Sequence, residues 1–405
     1  MKPIYHLRAA FLIFLVFTVC PVLAQDYQSY LDRGDVMIEM RQYDQAIAEY
    51  TRAINLKPNT ATAYTSRGLA HSNKSQFKAA IADFTRAIEL DPKEAWAYGG
   101  RGLAYRFTGQ YKKAIRDFSA AIEMNPEIAA NSPLYLDRGM TYAEIHQVDR
   151  AIRDFTTYLK VNPGHSAKAA PYLQRGRAYG MKGKYRMAVY DLNVAIEKDP
   201  KNSKAYGLRG LAYKFQGKYD EAISDFSKAI EINPESSGTD GIYFARGSSY
   251  ALSGQYGKAI SDLNIAIEKN PQDSEAYFTR GTVYQDQGRY DKAISDFNHT
   301  IEIDPDNADA YNGMAWILAT CPDAAHRNGA RAVKLTQKAI TLDRNAQILD
   351  TLAAAYAEAG QFDMAVSTQH KAIAMMKKEG EEKKIIAQSI KRLAAYESNQ
   401  PWREK

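Results

Sequence analysis

The chain has 405 residues, 45% hydrophobic and 25% charged, the balance of a folded chain rather than a disordered one. Its 25 Gly and 14 Pro exclude a collagen-like sequence, and two Cys cannot build a disulfide framework. The net charge is +6 with both signs interspersed, not the basic stripe of a nucleic-acid binder, and the outlier is Tyr, with 28 copies.

Lys2 and Arg8 precede an apolar stretch from Ala9 to Cys20, followed by Pro21, Val22, Leu23 and Ala24. A basic start, a short apolar core and small residues at its end predict an export signal over residues 1–24, cut after Ala24. The stretch is about 12 residues where a spanning helix needs about 20, so an uncleaved membrane anchor is the lesser alternative. Val19 is bulky for a lipoprotein site at Cys20. Without this acid-free segment 51 basic residues face 47 acidic ones, a net +4. The expected location is the periplasm, or another secreted or envelope-associated one, and the mature chain keeps Cys321 alone in an oxidising compartment. No later segment is apolar and long enough to cross a membrane.

From residue 25 a repeat governs the sequence. Arg-Gly recurs at Arg33, Arg67, Arg101, Arg138, Arg175, Arg209, Arg246 and Arg280, spaced by 34 or 37 residues. A Tyr stands three residues before each Arg, an Ala twelve after each Gly, and a Pro twelve after that Ala, as in Tyr98, Ala114 and Pro126. Each period reads as two helices. Tyr98, Gly102 and Tyr105 share one helical face, and Ala114, Phe118 and Ala121 share another. Gly109 breaks the chain between them, and Asn125-Pro126 ends the second helix. Gly102 and Ala114 carry almost no side chain, so the two backbones are expected to approach closely.

These residues, clearest from Trp96 to Pro126, resemble the tetratricopeptide repeat (TPR), over about residues 27–379. The resemblance implies an all-α, right-handed superhelical solenoid of about ten antiparallel helix pairs. Residues 25–307 read as eight regular units. Residues 308–379 read as two divergent units, with Ala315 in place of the glycine and an inserted loop near 321–329. Residues 380–405 read as a capping helix and tail, with Ile386, Ile390 and Leu393 at helical spacing. Three extra residues at 129–131, 166–168 and 237–239 are expected to lengthen turns between units.

Sixteen residues after each repeat Arg stands an acid: Glu49, Asp83, Asp117, Asp154, Asp191, Asp225, Asp262 and Asp296. A ladder of ion pairs, within a unit or between neighbours, is expected, since an unpaired Arg near a core is costly. The competing reading is a row of Arg free for an acidic ligand.

Candidate chemistry is sparse. The His residues form no metal-type pair, and Gly99-Gly100-Arg101-Gly102 resembles a phosphate loop only faintly, inside a helix. Cys321 is expected to be a packed residue at a helix end; a hydrolase built on it would need His326 beside it. No catalytic residues, cofactor or metal are predicted. The resemblance implies that ligands lie on the first helix of each pair, on the concave side. The candidate groove residues there are Trp96, Arg106, Phe107, Arg177, Lys214, Phe215, Phe244 and Phe278, with Leu136, Leu173 and Met181 beside them. Arg106-Phe107 and Lys214-Phe215 place a basic residue next to an aromatic in two units. Such a pair suits an extended peptide, unless both rings only pack under their own turns. The Lys and Asn clamp that grips chaperone C-termini is absent: its places hold Leu31 with Asp35, Thr65 with Leu69, and Leu173 with Arg177. The expected function is a non-enzymatic scaffold or adaptor in the cell envelope, binding proteins or extended peptides, with no nucleic acid. The alternatives are a membrane-tethered adaptor and an accessory subunit of an envelope enzyme complex.

Overall fold

A computed structural model of the chain describes residues 27–161, 168–234 and 240–404. The leader reading and the additions at 237–239 lie outside these residues, as do most of 166–168. Among the described residues every regular element is a helix, and none is long and apolar enough to cross a membrane.

The described residues divide into two compact units, with the boundary between Gly183 and Lys184. In the first, Tyr27–Glu39 pairs with Tyr43–Leu56, Ala61–Asn73 with Phe77–Leu90, Ala95–Phe107 with Tyr111–Met124, and Leu134–Glu144 with Val148–Val161. Helix Ala170–Met181 follows. The second begins with Tyr185–Lys198. Then come Ser203–Lys214 with Tyr219–Ile232, Asp240–Leu252 with Tyr256–Lys269, and Ser274–Asp286 with Tyr290–Ile303. Ala308–Thr320 with Gly329–Leu342, Ala346–Glu358 with Phe362–Glu379, and finally Lys383–Glu397 complete it. Each second helix also packs on the first helix of the next pair, and within a unit neighbouring first helices touch, as Ala61–Asn73 and Ala95–Phe107 do. The first helices therefore line one side of each stack.

In the regular pairs the second helix buries one aromatic or Leu against its partner, while Thr336 and Gln369 stand there in the last two pairs. Phe84, Phe118, Phe155, Phe226 and Phe297 are fully buried, each worth about 2–3 kcal/mol of burial. The repeat glycine makes room for this ring. A Cβ on Gly102 would lie 2.9 Å from the Phe118 ring and 3.3 Å from the Ala114 carbonyl oxygen. The faint phosphate loop has the same explanation, because a Cβ on Gly100 would lie 2.4 Å from Phe84 of the preceding pair.

Seven residues after the repeat glycine the chain turns through a left-handed residue. It is Gly109 (φ 73°) or Gly217 (φ 72°), but also Arg41 (φ 58°), Ser75 (φ 60°) and His146 (φ 58°). The following N–H reaches back five residues, Gln110 to the Tyr105 carbonyl at 2.8 Å, and satisfies a helix-end carbonyl.

Two expectations change. Residues 129–131 do not lengthen a turn; they belong to the short helix Pro126–Asn131, started by a proline in the one helical position that loses nothing for lacking an N–H. The last helix does not bury the stripe of Ile386, Ile390 and Leu393, of which Ile386 and Leu393 are only half-buried. Its buried residues are Ser389, Arg392 and Tyr396, and Ile390 is exposed. The reason is polar: buried Asp350 accepts from Gln369 Nε2 at 2.5 Å, from Ser389 Oγ at 2.8 Å and from Arg392 Nη2 at 2.8 Å. Beyond that helix the tail returns to helix Ala308–Thr320. The Glu404 N–H donates to the Thr320 carbonyl at 3.0 Å, and Trp316 Nε1 donates to the Glu404 carboxylate at 2.6 Å.

Candidate functional site

The ladder settles which arginines are committed to the stack. Arg101 donates through Nε and Nη2 to Asp117 at 2.7 and 3.0 Å. The same fork joins Arg67 to Asp83, Arg138 to Asp154, Arg209 to Asp225, Arg246 to Asp262 and Arg280 to Asp296, while Arg33 meets Glu49 through Nε alone. Every one of these carboxylates belongs to the same pair as its Arg. The residual Nη1 reaches back to the preceding pair: Arg101 to Thr85 at 3.3 Å, Arg246 to Ser227 at 3.0 Å, Arg280 to Asn264 at 2.6 Å. The cation also lies over the repeat tyrosines, Tyr98 and Tyr105 in the case of Arg101, which accounts for the tyrosine excess. Arg175 and Asp191 fall in different units, and Arg175 Nη1 donates to Thr156 at 3.3 Å.

The basic residues of the two aromatic pairs turn toward the next pair of helices. Arg106 lies 3.7 Å from Asp137, whose carboxyl burial pushes up to about 6 against the pull of that cation. Lys214 donates to Ser248 Oγ at 2.6 Å and lies 5.7 Å from the Phe244 ring centroid, and burial lowers its pKa. The aromatics turn the other way. Phe107 stacks on Phe77 at 5.0 Å and Phe215 on Tyr185 at 5.1 Å, each on the residue that opens the preceding second helix. One face of each ring is thus used and the other is open: Phe107 remains 57% and Phe215 64% exposed. Neither ring packs under its own turn. Trp96, at the start of the same helix as Phe107, is 52% exposed, and Arg177 is exposed on Ala170–Met181. Phe244 and Phe278 are half-buried, Phe278 against Phe297 at 5.8 Å.

The family model of the tetratricopeptide repeat matches residues 61–94, 95–128, 203–236 and 274–307, and a second TPR-repeat model matches 34–75 and 247–288. Tetratricopeptide repeats are present in this chain. Among solved structures the chain is similar to YrrB, a TPR protein with an unusual peptide-binding site, at 24% identity over 46% of this chain and 93% of that one, with a TM-score of 0.41. It is similar to yeast Tom70 at 17% identity over 92% and 96% of the two chains, with a TM-score of 0.39. PilF of Pseudomonas aeruginosa matches at 16% identity over 53% and 95%, with a TM-score of 0.47. No curated protein matches the chain.

Outside the TPR ladder, the Cys321 thiol is buried, and burial raises its pKa, the reverse of what activates a nucleophile. His326 turns its Nε2 to Asp291 at 2.9 Å and its Nδ1 to within 3.3 Å of Asp323. Among the described residues no cluster of three or more His, Cys, Asp or Glu has a metal-holding arrangement. One feature escaped the sequence reading. A cavity of about 570 Å³ opens beside Phe278, lined also by Asp309, Asn312, Trp316, Arg392 and Glu404. Its walls come mainly from three first helices, the last helix and the tail, with Phe297 and Met376 of two second helices, so no short motif announces it.

Proposed function

We propose that this chain is a non-enzymatic scaffold of the cell envelope that binds proteins or extended peptides along the first helices of its TPR pairs. One observation carries the reading: the stack consumes the residues that repeat, and leaves exposed the large side chains that do not. The ladder engages seven of the eight repeat arginines with carboxylates of their own pairs, so these are not a row of free cations. Trp96, Phe107 and Phe215 stand where other units carry other residues, and each keeps more than half its surface in water. Exposed aromatics held on a rigid frame are efficient anchors, since little side-chain entropy is left to lose on binding. The basic, apolar, small-residue order of residues 1–24 supports export.

The test is selection of displayed peptides on the folded chain, with Trp96→Ala, Phe107→Ala and Phe215→Ala combined as the comparison. Enriched peptides should bind the unsubstituted chain at least tenfold more tightly than the triple variant, at equal helical content. Equal binding moves the site off these aromatics, and no enrichment sinks the scaffold reading. The N-terminal residue of the protein recovered from its own envelope fraction tests the location. Gln25 fits an exported scaffold, and a retained leader there favours the membrane-tethered adaptor.

A further inference from the structure

The cavity in the second unit has a chemistry of its own. Asp309 and Glu381 line it with no cation of the described chain paired to them, and Glu404 meets only the indole N–H of Trp316, at 2.6 Å. Asp350 and Arg392 also face it, but they neutralise each other at 2.8 Å. The lining is therefore acidic by three carboxylates. A second observation is independent of that charge. Asn312 is only 7% exposed, lines the cavity, and its Oδ1 is buried without a hydrogen-bond donor. A buried acceptor left unmet is destabilising, and a donor from outside the chain relieves that on binding. Three carboxylates and the Asn312 acceptor, among Gln and Thr side chains that can also accept and with an apolar floor from Phe278 and Phe297, suit a group that is cationic, rich in N–H and carried on an apolar stem.

Building on the scaffold reading, we propose that this cavity is a subsite for an arginine or lysine side chain of the bound peptide, its N–H donors shared between Asn312 Oδ1 and the carboxylates of Asp309, Glu381 and Glu404. An anionic group is repelled there. An apolar side chain fills the volume but leaves Asn312 unmet.

The experiment uses the full chain and two kinds of probe. Peptides from the display selection are resynthesised with each Arg replaced by citrulline, which keeps shape and removes charge, or each Lys by its acetylated form. Agmatine supplies the same guanidinium without a peptide. Binding is measured by titration calorimetry on the unsubstituted chain and on Asp309→Asn with Glu381→Gln. Both positions of that variant are exposed, so its fold is expected to hold. Asn312→Leu is the second variant. The expected result is enrichment of Arg or Lys in the selected peptides and at least tenfold weaker binding of the uncharged forms. That difference should collapse in the double variant and shrink severalfold in Asn312→Leu. Peptides that bind equally with and without the positive charge, or equally to both chains, overturn the cavity assignment while leaving the scaffold reading intact. No selected peptide and no agmatine binding overturns both. Agmatine binding as tightly as the peptide overturns the peptide as the source of the cation.

Discussion

At the scale of single residues, the charges of this chain divide into those that titrate in place and those that do not. The ladder arginines are locked: a hydrogen bond to Asp225 is the main cause that raises the pKa of Arg209 above its ordinary value. Asp137 is different, with its carboxyl pushed up to about 6 by burial and only partly restored by Arg106 at 3.7 Å. An acid whose folded pKa exceeds its unfolded value of about 4 binds its proton more tightly in the native state. Its contribution to stability is full below about pH 4 and is lost as pH rises through about 6. Asp137→Asn should therefore abolish a fall in stability between about pH 4 and pH 6.5, read as denaturant midpoints across that range. Identical slopes for the two chains would show that Asp137 is not the titrating group. The sixteen-residue spacing of Arg and acid was legible because both partners sit in one repeat. The third partner was not, since Thr85, Ser227 and Asn264 belong to the preceding pair and share no single residue type.

At the scale of elements, the helices were legible and their ends less so. Periodic Tyr, Gly, Ala and Phe place each helix pair, because a ring and the glycine it presses on must recur together. The left-handed turn residue is fixed by backbone geometry, and the chain meets it imperfectly. His146 holds φ 58° where most other pairs have glycine, and its side chain is exposed. A side chain in that conformation costs about 1–2 kcal/mol. His146→Gly should raise stability by up to about 1 kcal/mol, the rest being offset by the flexibility glycine adds to the unfolded chain. An unchanged or lower unfolding midpoint would contradict this. The last helix shows the opposite failure of sequence reading. Ile386, Ile390 and Leu393 have the spacing of a buried stripe, yet the helix is held by Ser389 and Arg392. Their partner Asp350 lies about forty residues upstream and carries no repeat signature.

At the scale of the whole molecule, contacts run almost entirely between neighbouring helices, as repeat arrays require. The tail is the exception. Arg403 reaches Glu358 at 2.6 Å, and Glu404 reaches Trp316 across 88 residues of sequence. Trp402→Ala with Arg403→Ala should speed amide exchange in residues 308–358 and leave residues 27–161 unchanged, because nearest-neighbour stability does not propagate across the array. A uniform change along the chain would refute that. The candidate groove residues were legible as positions, through the helix on which each lies. Their partners were not, since Arg106 and Lys214 reach forward one pair while Phe107 and Phe215 reach back one.

The ladder also has a mechanical side. Six of the guanidinia make a two-toothed grip inside their own hairpin and a single hydrogen bond to the hairpin before it, as Arg101 does. Tension applied across those hairpins meets stronger links within each and weaker ones between them. The weak links part first, so hairpins leave the array whole and open afterwards. Each then unravels to an extended length of about 110–130 Å, one period of chain. A protein strung across a moving partner would give way by such counted steps rather than by a single rupture.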